Sequence, residues 1–303
     1  MTASFTRPQL LGALEVVRQH WQGHARSGLD TLLSEHVALF SSHRGNHHGK
    51  AAVLAALADD LQPLHQLDLE FSNAVARADQ THAVTSSYFH ATALGEGSSL
   101  HFGGLLIMQF EQDQICEIRI QLAWHQGDFS MADAWTLPVA DRQWQPGDTR
   151  ATVMSELDAP WSRVPHSTLP STTEEAIAET WYRYAWALDQ ADFALLPACF
   201  HQDVEAELTP MGRLHGRRTL VTTLKAFRMP WPWMQHCGAP IATKIDADGQ
   251  HAELTLGRII PGKTVTADGQ KVYGAHYRIR LTRDSDDSWA ITFMEYLPGW
   301  FTA

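Results

Sequence analysis

The sequence predicts an α+β chain of two tandem cone-shaped domains, each with N-terminal helices packed on a curved antiparallel sheet. The first observation behind this is a repeat. His48-Gly49-Lys50-Ala51-Ala52-Val53-Leu54 returns 167 residues later as His215-Gly216-Arg217-Arg218-Thr219-Leu220-Val221. Asp79-Gln80-Thr81-His82-Ala83 returns after 169 residues as Asp248-Gly249-Gln250-His251-Ala252, and Leu32-Leu33 after 163 as Leu195-Leu196. The landmarks keep their order while the offset drifts slightly, which is the mark of a duplicated domain with small insertions. The period far exceeds the roughly 20–50 residues of a solenoid unit, so each copy can own a core. The second observation is length: 303 residues suit two cores better than one. The third is that the hydrophobic period changes within each copy from that of a helix to that of a strand. The expected boundaries are 1–130, a linker at 131–170, and 171–303.

The first copy opens on a helix with Leu10, Leu14, Val17 and Trp21 along one stripe. A second helix follows His48-Gly49. Strands then fit Leu67–Ala76, His82–Ala93, Leu100–Phe110 and Ile115–Trp124, separated by polar or glycine-containing turns. The stretch from Ser130 to Pro170 is punctuated by prolines and lacks a period, yet holds Trp135, Trp144 and Trp161. A free linker would rarely carry such aromatics, so it is expected to pack across a domain surface. In the second copy Thr172 and Glu175 form a capping box ahead of a helix whose stripe is Ile177, Trp181, Tyr184 and Leu188. A short helix fits Phe193–Phe200, and another runs from Arg217 to Phe227 until Pro230 and Pro232 stop it. Strands fit Ile241–Ile245, His251–Ile260, Lys271–Arg283 and Ser288–Leu297. Between them stand Asp248-Gly249, Asp268-Gly269 and Asp284-Ser285-Asp286-Asp287, the chemistry of tight hairpins. Helices at the mouth of a curved sheet enclose a pocket for a small molecule.

Composition narrows the function classes. A net charge of −11 without a basic stripe opposes nucleic-acid binding. Three cysteines argue against a disulfide scaffold. No signal peptide and no bilayer-spanning apolar run is visible, so the expectation is a soluble, cytoplasmic protein with no membrane partner.

Tyr184-Ala185-Trp186-Ala187-Leu188-Asp189-Gln190-Ala191-Asp192, then Phe200, Asp203 and the His215-Gly216-Arg217 turn, resemble the nuclear transport factor 2-like superfamily. Within it the pattern is similar to that of SnoaL-like polyketide cyclases, ketosteroid isomerases and scytalone dehydratase. The resemblance covers most of 171–303 and, through the repeat, 8–127 more weakly. It implies catalysis by acid/base residues without metal or cofactor. In ketosteroid isomerases a helix-1 tyrosine donates to the developing enolate oxygen, and Tyr184 falls there. The general base of those enzymes falls on Leu208 and their second oxyanion acid near Ala275, so steroid isomerisation is not implied. In scytalone dehydratase an aspartate near the end of helix 1 orients a histidine after the third helix, and Asp189 and Gln235-His236 match that pair. No counterpart of that enzyme's second histidine stands around Gly257–Pro261.

A histidine held by a carboxylate through its other nitrogen is suited to proton transfer beside a carbonyl, and a phenol in an apolar pocket can share oxyanion charge. Each residue also has a purely structural reading. Asp189 could cap the following turn, His236 could be a surface or capping histidine, and Tyr184 could simply pack. Trp181, Trp233, Tyr273, Tyr277 and Met294 are candidate pocket walls, and His276 is expected to face away from them. The repeated His-Gly-(Lys/Arg) turns are read as a fold requirement. In the first copy Trp21 stands for Tyr184 and Arg26 for Asp189, with His65 near the place of His236. That copy is therefore read as catalytically degenerate, with the smaller cavity. It holds 11 of the 17 histidines but shows no metal-binding spacing, so no metal is expected. The resulting expectation is a cofactor-independent lyase, isomerase or cyclase acting on a small apolar carbonyl or hydroxylated ring compound. The alternative is a non-catalytic ligand-binding or assembly module of the same fold. Pairing through the sheets would make either an internal pseudo-dimer or a homodimer.

Overall fold

The protein is described from a computed structural model covering residues 5–23, 28–59, 66–132, 135, 153–231 and 234–302. Arg26, His65, Trp144 and Trp233 lie outside the described residues. The chain divides into two compact units, Met1–Pro170 and Ser171–Ala303.

In the first unit α1 (Arg7–Trp21) starts at a reciprocal cap: Gln9 N–H donates to Thr6 Oγ1 at 3.4 Å and Thr6 N–H to Gln9 Oε1 at 3.2 Å. Its predicted stripe is the buried one, and Trp21 packs on Phe89 with ring centroids 5.2 Å apart. After the single turn α2 (Leu29–Leu32) come β1 (Leu33–Ser41), β2 (Gly45–His48) and α3 (Lys50–Asp59). The strands β3 (Gln66–Ala78), β4 (Ala83–Leu94), β5 (Ser99–Glu111) and β6 (Gln114–Gly127) form the antiparallel meander that the period-two pattern predicts. The sheet order is β2-β1-β6-β5-β4-β3, and β1 lies parallel to β6. The expected linker is in part an element of this unit. The short helix α4 (Pro160–Arg163) leads into a stretch whose Val164 and Pro165 carbonyls accept from Arg77, each at 2.8 Å. Trp135 packs edge-on to His43 and Phe102, and Trp161 is buried. These aromatics make the described parts of the segment a cover for the domain.

The second unit repeats the order. It comprises α5 (Thr173–Asp189), β7 (Phe200–Leu208), β8 (Gly212–His215), α6 (Arg217–Arg228), β9 (Gly238–Ile245), β10 (His251–Arg258), β11 (Val272–Arg283) and β12 (Trp289–Thr302). Its sheet runs β8-β7-β12-β11-β10-β9, with β12 parallel to β7. The repeat extends to single hydrogen bonds. Gly49 N–H donates to Val37 O and Gly216 N–H to Val204 O, each at 2.8 Å. Both glycines have positive φ, +85° and +83°, which is why the turn before the third helix needs glycine twice.

Two expectations change. Each sheet is mixed, because a hairpin (β1–β2, β7–β8) adds a parallel neighbour that the sequence pattern did not announce. The helix expected at 193–200 shrinks to a 3-10 turn at Leu196–Cys199, with Phe200 already in β7. Pro197 cannot donate to a continuing helix. Among the described residues, no helix is long and apolar enough to cross a membrane.

Candidate active site

The second unit brings Asp189 and His236 together. Asp189 is the last residue of α5, and His236 lies in the extended stretch between the proline-broken end of α6 and β9. The carboxylate takes two bonds from one residue: His236 N–H donates to Oδ2 at 2.6 Å, and ring Nδ1 lies 2.5 Å from Oδ1. Asp189 is buried and the His236 side chain is 12 % exposed. A carboxylate oxygen can only accept, so Nδ1 carries the proton, and in the neutral imidazole the lone pair sits on Nε2. Burial pushes the ring's basicity below its ordinary value, with Asp189 opposing and the Arg258 and Arg228 charges adding to the fall.

Neighbouring groups hold this geometry. Arg228, at the end of α6, donates from Nε to Leu188 O at 3.0 Å, from Nη2 to Asp189 O at 2.7 Å, and from Nη1 to Trp231 O. Two of those carbonyls belong to the C-terminal turn of α5, where a helix lacks internal donors and a cation suits the dipole. The histidine's own segment is clamped on both sides, since Gln235 O accepts from Arg258 Nη2 at 2.7 Å and Cys237 O from Ile259 N–H at 2.9 Å. Gly238 follows, and a Cβ there would run into Trp181 and Leu256.

The pair borders a cavity of about 250 Å³ whose walls are mainly apolar: Leu188, Leu208, Met211, Leu224, Phe227 and Met234. Its polar groups are Tyr184, Thr209, His236, Arg258, Tyr277 and Tyr296. The Tyr184 and His236 rings meet edge to face at 6.2 Å. Burial raises the Tyr184 and Tyr277 phenols above their ordinary range, so both stay protonated donors.

Of the residues expected on the wall, Tyr277 lies there and three described ones do not. Trp181 is fully buried, packed on Tyr184 and Tyr277 at 6.4 and 5.9 Å, and supports the wall from behind. Met294 is buried without reaching the cavity surface, and Tyr273 stacks instead on Phe301 at 5.4 Å. His276 also packs on Phe301, at 4.8 Å. Arg258 and Tyr296 were missed. Both had a signal: Arg258 continues the buried phase of Ala252, Leu254 and Leu256 on β10, and Tyr296 is the cross-strand partner of Tyr277. Leu208, where a steroid-isomerase base would stand, is an apolar wall. Among the described residues no cluster of three or more histidine, cysteine or acidic side chains could hold a metal ion.

Residues 170–295 match the profile of the SnoaL-like domain family. No functionally curated protein matches the chain. Among solved structures, a Kribbella flavida protein is 9% identical, covering 42% of this chain and 97% of its own, with a TM-score of 0.38. A hexachlorocyclohexane dehydrochlorinase from Novosphingobium barchaimii is 10% identical over 40% and 89%, TM-score 0.37. A protein described as a scytalone dehydratase, from Novosphingobium aromaticivorans, is 13% identical over 38% and 82%, TM-score 0.33.

Proposed function

We propose that the second unit, a SnoaL-like domain, binds a small apolar ring compound and moves a proton next to its carbonyl or hydroxyl group without a cofactor, as a lyase, isomerase or cyclase. The observation that carries this is the Asp189–His236 pair at 2.5 Å on the edge of an apolar cavity. His236 Nε2 removes the proton while Asp189 fixes the tautomer and stabilises the imidazolium that forms. Tyr184 donates to the substrate oxygen as negative charge builds on it, in surroundings where water does not compete. Depressed basicity keeps His236 neutral, and therefore a competent base, at neutral pH. The first unit serves a structural role on this reading, because Trp21, at the place of Tyr184, packs on Phe89 where a ligand would need room.

Deuterium wash-in tests this without knowledge of the product. Cyclic ketones and β-hydroxyketones are incubated with the protein in D₂O, and exchange beside the carbonyl is followed by NMR. The wild type should catalyse exchange in at least one compound, and His236→Ala should abolish it with an unchanged circular dichroism spectrum. Exchange that survives His236→Ala refutes the mechanism. Ligand binding with no exchange by the wild type would return the domain to a binding module.

A further inference from the structure

Arg258 presents an unusual state for a guanidinium. Nη2 is satisfied by the Gln235 carbonyl, yet Nη1 is buried and has no hydrogen-bond partner among the described residues. No carboxylate among them pairs with Arg258. Arg258 and the titratable His236 face the same cavity, whose walls include no acidic side chain. Asp189 stands behind the imidazole, and Arg228, which bonds that residue's main-chain carbonyl, places a second cation close to the pair. With Arg258 and Arg228 against Asp189, the described residues of the site carry one more positive than negative charge, in a chain whose net charge is −11. A buried N–H donor of a cation without an acceptor is expensive, and a ligand oxyanion would relieve that cost with a charge-assisted bond.

We propose that Arg258 is the anchor for a carboxylate, so that the pocket takes monoanionic ring carboxylic acids in preference to neutral ring compounds of the same shape. This deepens the reading of the pocket as a substrate site and rests on it. The carboxylate bonds the Arg258 guanidinium, which turns its covered Nη1 to meet it, the apolar ring lies against Leu208, Leu224 and Phe227, and the reacting carbon faces His236. Two phenols, Tyr277 and Tyr296, lie on the same wall and offer further O–H donors to the anion. The Arg258 cation also favours ionisation of Tyr277 and Tyr184, the same field that a bound anion would neutralise.

The test is binding, measured by calorimetry on the full chain, and needs no turnover. Phenylacetate, cinnamate and 2-naphthoate are compared with their primary amides, which match them in shape and lack the charge. The wild type should bind the carboxylates at least about tenfold more tightly than the amides, as expected for a hydrogen bond to a charged group. Arg258→Met should erase that preference, whatever loss of the bond to Gln235 O does to binding of the amides themselves. Equal affinities in the wild type overturn the proposal, and so does failure of all three acids to bind at about 1 mM. A preference that persists in Arg258→Met also overturns it. If that variant does not fold, the wild-type comparison still decides. Loss of deuterium exchange with an intact carboxylate preference would sink the acid/base mechanism alone, so the two failures are distinguishable.

Discussion

Asp189→Asn separates orientation from packing at nearly constant volume. The aspartate receives two donors from His236, the backbone N–H at 2.6 Å and Nδ1 at 2.5 Å. An asparagine has one acceptor oxygen and one NH₂ group in their place. The backbone N–H cannot move or lose its proton, so it should claim the oxygen, leaving the NH₂ to face Nδ1. Two donors cannot face each other, and the imidazole should respond by carrying its proton on Nε2. Exchanging two charge-assisted bonds for two neutral ones should cost about 1–3 kcal/mol in urea unfolding. Because the lone pair then points away from the cavity, deuterium exchange should fall roughly 100- to 10,000-fold. Imidazole ¹⁵N shifts report the tautomer directly and need no substrate. If His236 keeps its Nδ1 proton in the variant, or if stability changes by less than about 0.5 kcal/mol, the orientation argument is wrong.

Arg228→Met should leave carbonyls of Leu188, Asp189 and Trp231 without this donor, at about 2–4 kcal/mol in chemical unfolding. It should also raise the pKa of His236 in an NMR titration, because the Arg228 charge now depresses it; a purely structural role for Arg228 predicts no such rise. Acid should weaken the fold in a defined window. Burial lowers His90 to about 4 from its ordinary 6.5, even though half-exposed Glu70 approaches its Nε2 at 3.5 Å. The unfolded chain therefore takes up more protons than the folded one as pH falls from 6.5 toward 4. The loss should be roughly 3 kcal/mol at about 1.4 kcal/mol per tenfold change in proton affinity. His90→Gln should flatten that part of the stability–pH curve, and an unchanged curve would refute it. His236 is depressed as well, so the acid limb of the deuterium-exchange profile should lie below pH 6.5.

Elements with a clean period or cap were legible in the sequence. Thr172 and Glu175 marked the start of α5, and the meander strands fell within a few residues of their predicted ends, apart from the longer C-terminal end of β12. The hairpins β1–β2 and β7–β8 were not legible. In β7 the exposed Gln202 interrupts the alternation, and the strand's position depends on a parallel neighbour some ninety residues away. The Asp189–His236 approach could be anticipated only through family resemblance, because 47 residues separate them and the contact depends on how α6 ends. The wall was read less well. Trp181, Tyr273 and Met294 share the apolar character of true wall residues, but whether each reaches the cavity depends on sheet curvature and on close backbone approaches such as that at Gly257, whose missing Cβ leaves room for the Tyr273 ring.

The position of β12 has a consequence for how the second unit is assembled. This strand lies between β7 and β11, so it joins an early hairpin to a later meander. Until residues 289–302 have emerged from the ribosome, β7 and β8 have no sheet edge to enter, and α5 lacks the Trp289 carbonyl that receives Thr180 Oγ1. A nascent chain halted before that point would expose an unpaired strand on each side of an empty slot. The first unit meets the same requirement with β6, complete by Gly127, so it can close while the second is still being translated. Vectorial synthesis thus exposes the two copies to aggregation in turn, each from the emergence of its early hairpin until its closing strand arrives.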